Sequence, residues 1–268
     1  MRTLLLALAV LWLGAGDAAA LELDGPVVQG ALRTGTVAPG AAVTVDGNPV
    51  RVDAQGRFVF GIGRDRTEPV IIRVTHGDGT DEQTYAVETR SWDIERIDGL
   101  PRRKVSPNAE DLKRIRREGA QINAARGRDS DLAHVFAGFR WPATGRISGR
   151  YGNQRILNGE SRRPHLGIDI AVPTGTPVGA SAAGIVSLAE PDLFFTGGTV
   201  AVDHGHGVSS IYSHLSRIDV VPGQAVAPGE VIGAVGSTGR STGPHLDWRI
   251  NWFQLRLDPE LIAGPMPR

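Results

Sequence analysis

The chain has 268 residues, with 29 Lys and Arg balanced by 29 Asp and Glu, and with 35 Gly, 17 Pro and no Cys. Zero net charge leaves no global field for capture by nucleic acid or acidic lipid, and the absence of Cys excludes disulfides, thiolate metal sites, a Cys nucleophile and lipidation at a lipobox. Any metal chemistry therefore falls to His and carboxylates, while glycine at nearly double its usual share of about 7% favours tight turns and short strands over long helices.

Residues 1–20 carry Arg2, an apolar run from Leu4 to Leu13 and small residues ending in Ala18, Ala19 and Ala20. This is the pattern of a secretory signal peptide cut after Ala20, and the run is well short of the roughly 20 apolar residues that span a bilayer. The expected product has no membrane span and is periplasmic or extracellular.

Residues 21–93 alternate short β-prone runs with turn signals. Asp46-Gly47 and Asp78-Gly79 are hairpin dipeptides, and Val43 with Val45, Val50 with Val52, and Phe58 with Phe60 show period two. The expectation is a small immunoglobulin-like β-sandwich serving as a spacer or docking module.

Residues 94–135 change character and predict a linker with one helix. Ser106 is placed to cap it with Pro107 at the first position, and Glu110 and Asp111 precede Lys113, Arg114, Arg116 and Arg117. Leu112, Ile115 and Ile122 make a thin apolar stripe, so the helix is expected to lie as a strap across the C-terminal domain.

Residues 136–264 are again β in pattern. Pro173–Val178 leading to Gly184–Val186 resembles Val221–Val226 leading to Gly229–Gly233, as in a sheet built from a duplicated hairpin. Biotinyl and lipoyl carriers share that pattern, but they need a swinging-arm lysine, and the only lysines, Lys104 and Lys113, lie outside this segment.

Three groups here bear chemistry. In His165-Leu-Gly-Ile-Asp169, Ile168 and Ile170 alternate as a buried face and turn Asp169 to the other side, where a carboxylate needs a metal or a charged donor. His214 follows Ile211-Tyr-Ser on a strand. His245 and Asp247 stand two apart on a third strand, on one face about 6.5–7 Å apart. His204 and His206 read as turn residues held by Gly205 and Gly207, and Tyr212 reads as a packing aromatic able to donate to an oxyanion.

Taken together, the run from Phe139 to Gly152, HLGIDIAVPTGTPVGASAAGIV, IYSHLS and VPGQAVAPGEVIGAVGSTGRSTGPHLDW resembles the lysostaphin and LytM-type zinc endopeptidases, which cut peptide cross-links of peptidoglycan. The resemblance covers the last half of the chain in order and spacing. It implies a lysostaphin-like antiparallel β domain, Zn²⁺ bound by His165 and Asp169, and His214 and His245 flanking the zinc water and the reacting carbonyl, one as base and the other as transition-state stabiliser, with the order left open.

The family's third ligand is a His where this chain has Asp247. A carboxylate is an accepted zinc ligand, but one His and two carboxylates bring the shell with Zn²⁺ to about zero formal charge and should acidify a bound water less. The implied function is a secreted zinc endopeptidase acting on peptidoglycan peptide stems. The alternative is a non-catalytic wall-binding relative that activates or scaffolds a cell-wall amidase or another divisome component.

Overall fold

The computed structural model describes residues 21–77, 79–100 and 102–267. The expected signal peptide and the first residue of the Asp78-Gly79 turn lie outside the described residues. The chain is mainly β, and no helix among the described residues is long and apolar enough to cross a membrane.

The first part holds strands β1 (Glu22–Leu23), β2 (Leu32–Thr36), β3 (Ala42–Val45), β4 (Asn48–Val50), β5 (Arg57–Gly61), β6 (Val70–His76) and β7 (Gly79–Tyr85). They form two antiparallel sheets, β1-β2-β5 and β4-β3-β6-β7. Asp46 and Gly47 both take left-handed φ, 50° and 78°, the backbone a two-residue hairpin turn requires between β3 and β4. Val70, Ile72 and Val74 are buried while Ile71, Arg73 and Thr75 face out, and they pack with Val43, Val45, Phe58 and Phe60 into a core between the sheets.

Next come β8 (Ile94–Ile97), α1 (Arg102–Val105) and α2 (Ala109–Arg126). The cap of α2 is Asn108, whose side chain accepts from the Asp111 amide at 2.8 Å, rather than Ser106, whose hydroxyl instead bonds Glu160 at 3.1 Å. Asn and Ser cap equally well, and the separate turn α1 fixes the start two residues later than Pro107 suggests. The stripe also differs from expectation. Leu112 is exposed, and α2 docks through Ile122, Ala125 and the Glu118 carboxylate, which accepts the Phe194 amide at 2.6 Å.

The remaining strands are β9 (Arg146–Gly149), β10 (Gln154–Leu157), β11 (Glu160–Ser161), β12 (Ile168–Ala171), β13 (Pro177–Gly179), β14 (Gly184–Leu193), β15 (Gly197–Gly205), β16 (Val208–Ile218), β17 (Ala225–Val226), β18 (Val231–Val235), β19 (Leu246–Trp252) and β20 (Leu255–Leu257), closed by α3 (Pro259–Ala263). The main sheet runs β17-β14-β15-β16-β19-β12-β9. The resembling segments exchange partners: β13 pairs with β18 and β17 with β14. Gly175 N bonds Val235 O and Val235 N bonds Thr176 O, while Gly223 N bonds Val186 O and Val186 N bonds Gln224 O. Strands β11, β10 and β8 form a separate three-stranded sheet in which β8 pairs in parallel with β10, so Ile94–Ile97, expected in the linker, is a strand paired with a later one.

Candidate active site

The register of the main sheet decides which side chains meet. Ser213 stands opposite Asp247, Asp247 opposite Asp169, and Asp169 opposite Gly149, one row across β16, β19, β12 and β9. The next row, Tyr212, Trp248 and Ile168, points to the opposite face and is completely buried. Alternation thus sends Asp169 and Asp247 to one face because their neighbours fill the core. Gly149 is required by this row, since a Cβ there would sit 2.4 Å from Asp169 Oδ2.

His214 would ordinarily share the face of Tyr212. The register between β15 and β16 slips just here, so that Ser213 and His214 bulge, and His214 takes a left-handed φ of 66°. A non-glycine residue pays strain for that backbone, and such positions concentrate at functional sites. The bulge brings the His214 ring to 4.7 Å, centroid to centroid, from that of His245.

His165, Asp169 and Asp247 are buried, and one ligand atom of each lies within 4.8 Å of the others. His165 Nε2 approaches Asp169 Oδ1 to 3.1 Å, yet neither atom makes a hydrogen bond, and His165 Nδ1 also has none. Buried polar atoms of native proteins are rarely left so. Two buried acceptor-capable atoms this close without a hydrogen bond between them fit a ligand pair for a divalent cation.

The two imidazoles beside this cluster are fixed in one tautomer. His214 Nδ1 lies 2.7 Å from the Thr238 carbonyl, and His245 Nδ1 lies 2.8 Å from that of Gly243. A carbonyl only accepts, so both Nδ1 atoms carry the proton and both Nε2 atoms offer lone pairs. Burial pushes His214 down to about 4, against the pull of Asp247 and with a further push from His245, so it is neutral at pH 7. His245 Nε2 stands 3.9 Å from Asp169 Oδ1.

Two arginines that sequence reasoning missed complete the cluster. Arg249 clasps Asp247 with Nε to Oδ1 at 2.7 Å and Nη2 to Oδ2 at 2.5 Å. Arg155, on β10, donates to Asp169 Oδ2 at 2.5 Å and through Nε to Glu95 on β8 at 2.9 Å. Burial alone would raise the Asp247 carboxyl, but Arg249 overrides it and holds the group well below the usual carboxylate range. Arg249 was legible as the next residue on the His245, Asp247 face of β19; Arg155 carried no signal, because β10 meets β12 only through the fold.

Other expectations resolve structurally. Tyr212 is no oxyanion donor, since its Oη lies 2.7 Å from Ser181 N and 2.9 Å from Ser210 Oγ inside the core. His204 is fully buried, with Nδ1 2.7 Å from the Ala183 carbonyl and Nε2 2.8 Å from Ser210 Oγ. His206 packs edge-on to Phe136.

Residues 163–259, which contain His165, Asp169, His214, His245, Asp247 and Arg249, match peptidase family M23. A crystal structure from Pseudomonas aeruginosa assigned to peptidase M23 is 35% identical with a TM-score of 0.70, covering 90% of this chain and 96% of that one. The DD-carboxypeptidase/endopeptidase Mpg of Neisseria meningitidis is 42% identical over 122 residues, 46% of this chain and 28% of its own length. Peptidoglycan DD-endopeptidase ShyA of Vibrio cholerae is 38% identical over 120 residues, again 28% of its length. The chain thus matches less than a third of the length of these two curated relatives.

Proposed function

Because the chain belongs to peptidase family M23, we propose that it is a secreted, periplasmic or extracellular endopeptidase that hydrolyses peptide cross-links of peptidoglycan and depends on zinc. The observation that carries this reading is the buried His165, Asp169 and Asp247 cluster, in which His165 Nε2 and Asp169 Oδ1 make no hydrogen bond, with His245 Nε2 3.9 Å from Asp169 Oδ1 and the His214 ring 4.7 Å from that of His245. In this reading His165, Asp169 and Asp247 hold the ion, which when bound supplies a Lewis acid to the scissile carbonyl.

The donor set fits. A carboxylate has about four lone-pair positions, so Asp247 keeps acceptor capacity beyond the two hydrogen bonds from Arg249, and hydrogen-bonded carboxylate ligands are the rule at metal sites. Arg249 and Arg155 also change the charge balance expected from sequence. They offset the two carboxylates, so the third-ligand aspartate does not leave the cluster poorer in positive charge than a histidine would. His245 takes a proton at Nε2 during hydrolysis and returns it to the leaving amine, while His214, held neutral, accepts a hydrogen bond from the attacking water.

One observation favours the second reading, a wall-binding scaffold for a cell-wall amidase: the Asp247–Arg249 ion pair is satisfied without any cation. Zinc content and peptide release from purified peptidoglycan, measured on one preparation, separate the two. One zinc per chain with release supports the enzyme. Wall binding with neither zinc nor release would refute it in favour of the scaffold.

A further inference from the structure

The two oxygens of the Asp169 carboxylate have different surroundings. Oδ1 makes no hydrogen bond, and the Nε2 atoms of His165 and His245 stand 3.1 and 3.9 Å from it. Oδ2 accepts from Arg155 Nη2 at 2.5 Å and is pressed against Gly149, where a Cβ would sit 2.4 Å away. One oxygen is thus open to an ion, while the other is closed off by a guanidinium and by backbone.

Arg155 is itself held in place. It stands directly opposite Glu95 in the parallel pairing of β10 with β8, and its Nε donates to Glu95 Oε2 at 2.9 Å. The side chains of Arg155, Glu95 and Asp169 are only 15%, 18% and 10% exposed, so little water competes for these bonds. Two residues further along the same face, Ile97 and Leu157 pack with Leu100 and Val105 into a small core of their own, which fixes β8 and α1 against β10. Glu95 and Arg155 both lie outside the 163–259 match. The segment expected to be a linker therefore grips a member of the metal cluster.

We infer that the Glu95 and Arg155 pair selects the metal: by occupying Asp169 Oδ2 it limits this ligand to one oxygen and keeps the cluster at the low coordination number that suits zinc. The inference rests on the cluster holding an ion, as the hydrolase reading has it, and adds how rival ions are kept out. One imidazole and two carboxylates are a donor set that oxygen-preferring ions such as Mn²⁺ also accept, and Mn²⁺ favours six ligands. Zn²⁺ is content with three protein ligands and one further position. Freeing Oδ2 adds an oxygen donor and so favours Mn²⁺. The two ions carry the same charge, so the arginine's own repulsion acts on both alike and cancels in the ratio of their affinities.

The test uses the full chain, stripped with chelator and titrated with Zn²⁺ or Mn²⁺ alone. Co²⁺ serves as a coloured reporter, its visible absorption being strong in four-coordinate sites and weak at higher coordination. Wild type is expected to bind one Zn²⁺ and to give strongly absorbing Co²⁺. In Arg155→Met the preference for Zn²⁺ over Mn²⁺ should fall about tenfold or more, the size of effect that loss of an outer partner has on metal affinity, and the Co²⁺ absorption should weaken. Glu95→Gln keeps the arginine but loosens it, and should shift both readings in the same direction by less. An unchanged preference in both variants overturns the inference and leaves the metal site standing. Weakly absorbing Co²⁺ in wild type does the same, and it decides even if Arg155→Met fails to fold. A wild-type chain that binds none of these ions overturns the zinc-dependent reading and the inference with it.

Discussion

Replacing Arg249 by Met isolates the ion pair that distinguishes this cluster. Asp247 has a side chain only 3% exposed and Arg249 one 22% exposed, so the variant leaves a carboxylate buried with its nearest cation gone. Breaking a buried pair on one side costs about 3–5 kcal/mol. Protonating the stranded carboxyl at pH 7 instead costs about 4 kcal/mol, roughly three pH units at 1.36 kcal/mol each, which caps the loss. Arg155 still faces Asp247 across the cluster, so the lower end, about 3 kcal/mol, is expected in the absence of metal. For a chain of this size that lowers Tm by about 6–12 °C.

The pH dependence has a definite sign. The folded-state pKa of Asp247 is depressed, so the contribution of the pair is complete above the unfolded carboxylate value near 4 and is lost as pH falls below it. In Arg249→Met the cost of protonating the stranded carboxyl falls by about 1.36 kcal/mol for each pH unit toward 4. The gap to wild type should therefore be widest at neutral pH, narrow toward pH 4, and shrink further below it as the wild-type pair is itself lost. Zinc should raise the Tm of the variant more than that of wild type, since the ion replaces the missing charge, and removing both partners in Asp247→Asn with Arg249→Met should recover much of the loss. Calorimetric melts in chelator and in zinc check all of this. A variant melting within about 2 °C of wild type in chelator, or a double variant no more stable than the single, would refute the reasoning.

Further outcomes rest on the same geometry. His165→Ala and Asp169→Ala should each empty the metal site by elemental analysis, whereas His245→Ala should keep the ion and lose about 10²–10⁴-fold in peptide release. Asp247→Ala should lower zinc affinity strongly; unchanged zinc content would remove Asp247 from the ligand set. His204, held at about 4 by burial, is neutral when folded, so its contribution is present above pH 6.5 and lost as pH falls toward 4, about 3 kcal/mol in all; His204→Gln should flatten the Tm profile over that window. A chain beginning at Phe136 loses β8 and the Glu95 to Arg155 bond, and it should melt below a chain beginning at Asp93; equal melting would show that β8 contributes nothing.

What the sequence revealed depends on range. The strand faces around Asp169 and Asp247 were readable because Ile168, Ile170, Leu246, Trp248 and Ile250 alternate locally, and the hairpin at Asp46-Gly47 because its dipeptide demands left-handed backbone. The helix was legible but its start was not, since Ser106 and Asn108 are rival caps and only tertiary contacts choose. The bulge that turns His214 toward the site depends on a register slip against β15, and Arg155 reaches Asp169 from β10, a strand that pairs with β8 and β11 and not with β12, so no local pattern encodes the contact. The docking of α2 was misjudged because its buried groups include Glu118 and Asp111, charges that a hydrophobic stripe does not count.

The partner exchange between the two hairpin units also bears on how such a sheet can arise. Each unit leaves one edge open and offers one strand, and the other unit meets both needs through matching bonds, Gly175 with Val235 and Gly223 with Val186. Two separate chains carrying one unit each would present the same complementary edges about a two-fold axis, the arrangement of an isologous homodimer. Joining them in one polypeptide turns that association into an intramolecular step at an effective concentration of about millimolar. It also frees the two copies to diverge, so that the strands between and after them, which carry His214 and Asp247, can be elaborated on one side of a scaffold that keeps its paired backbone bonds.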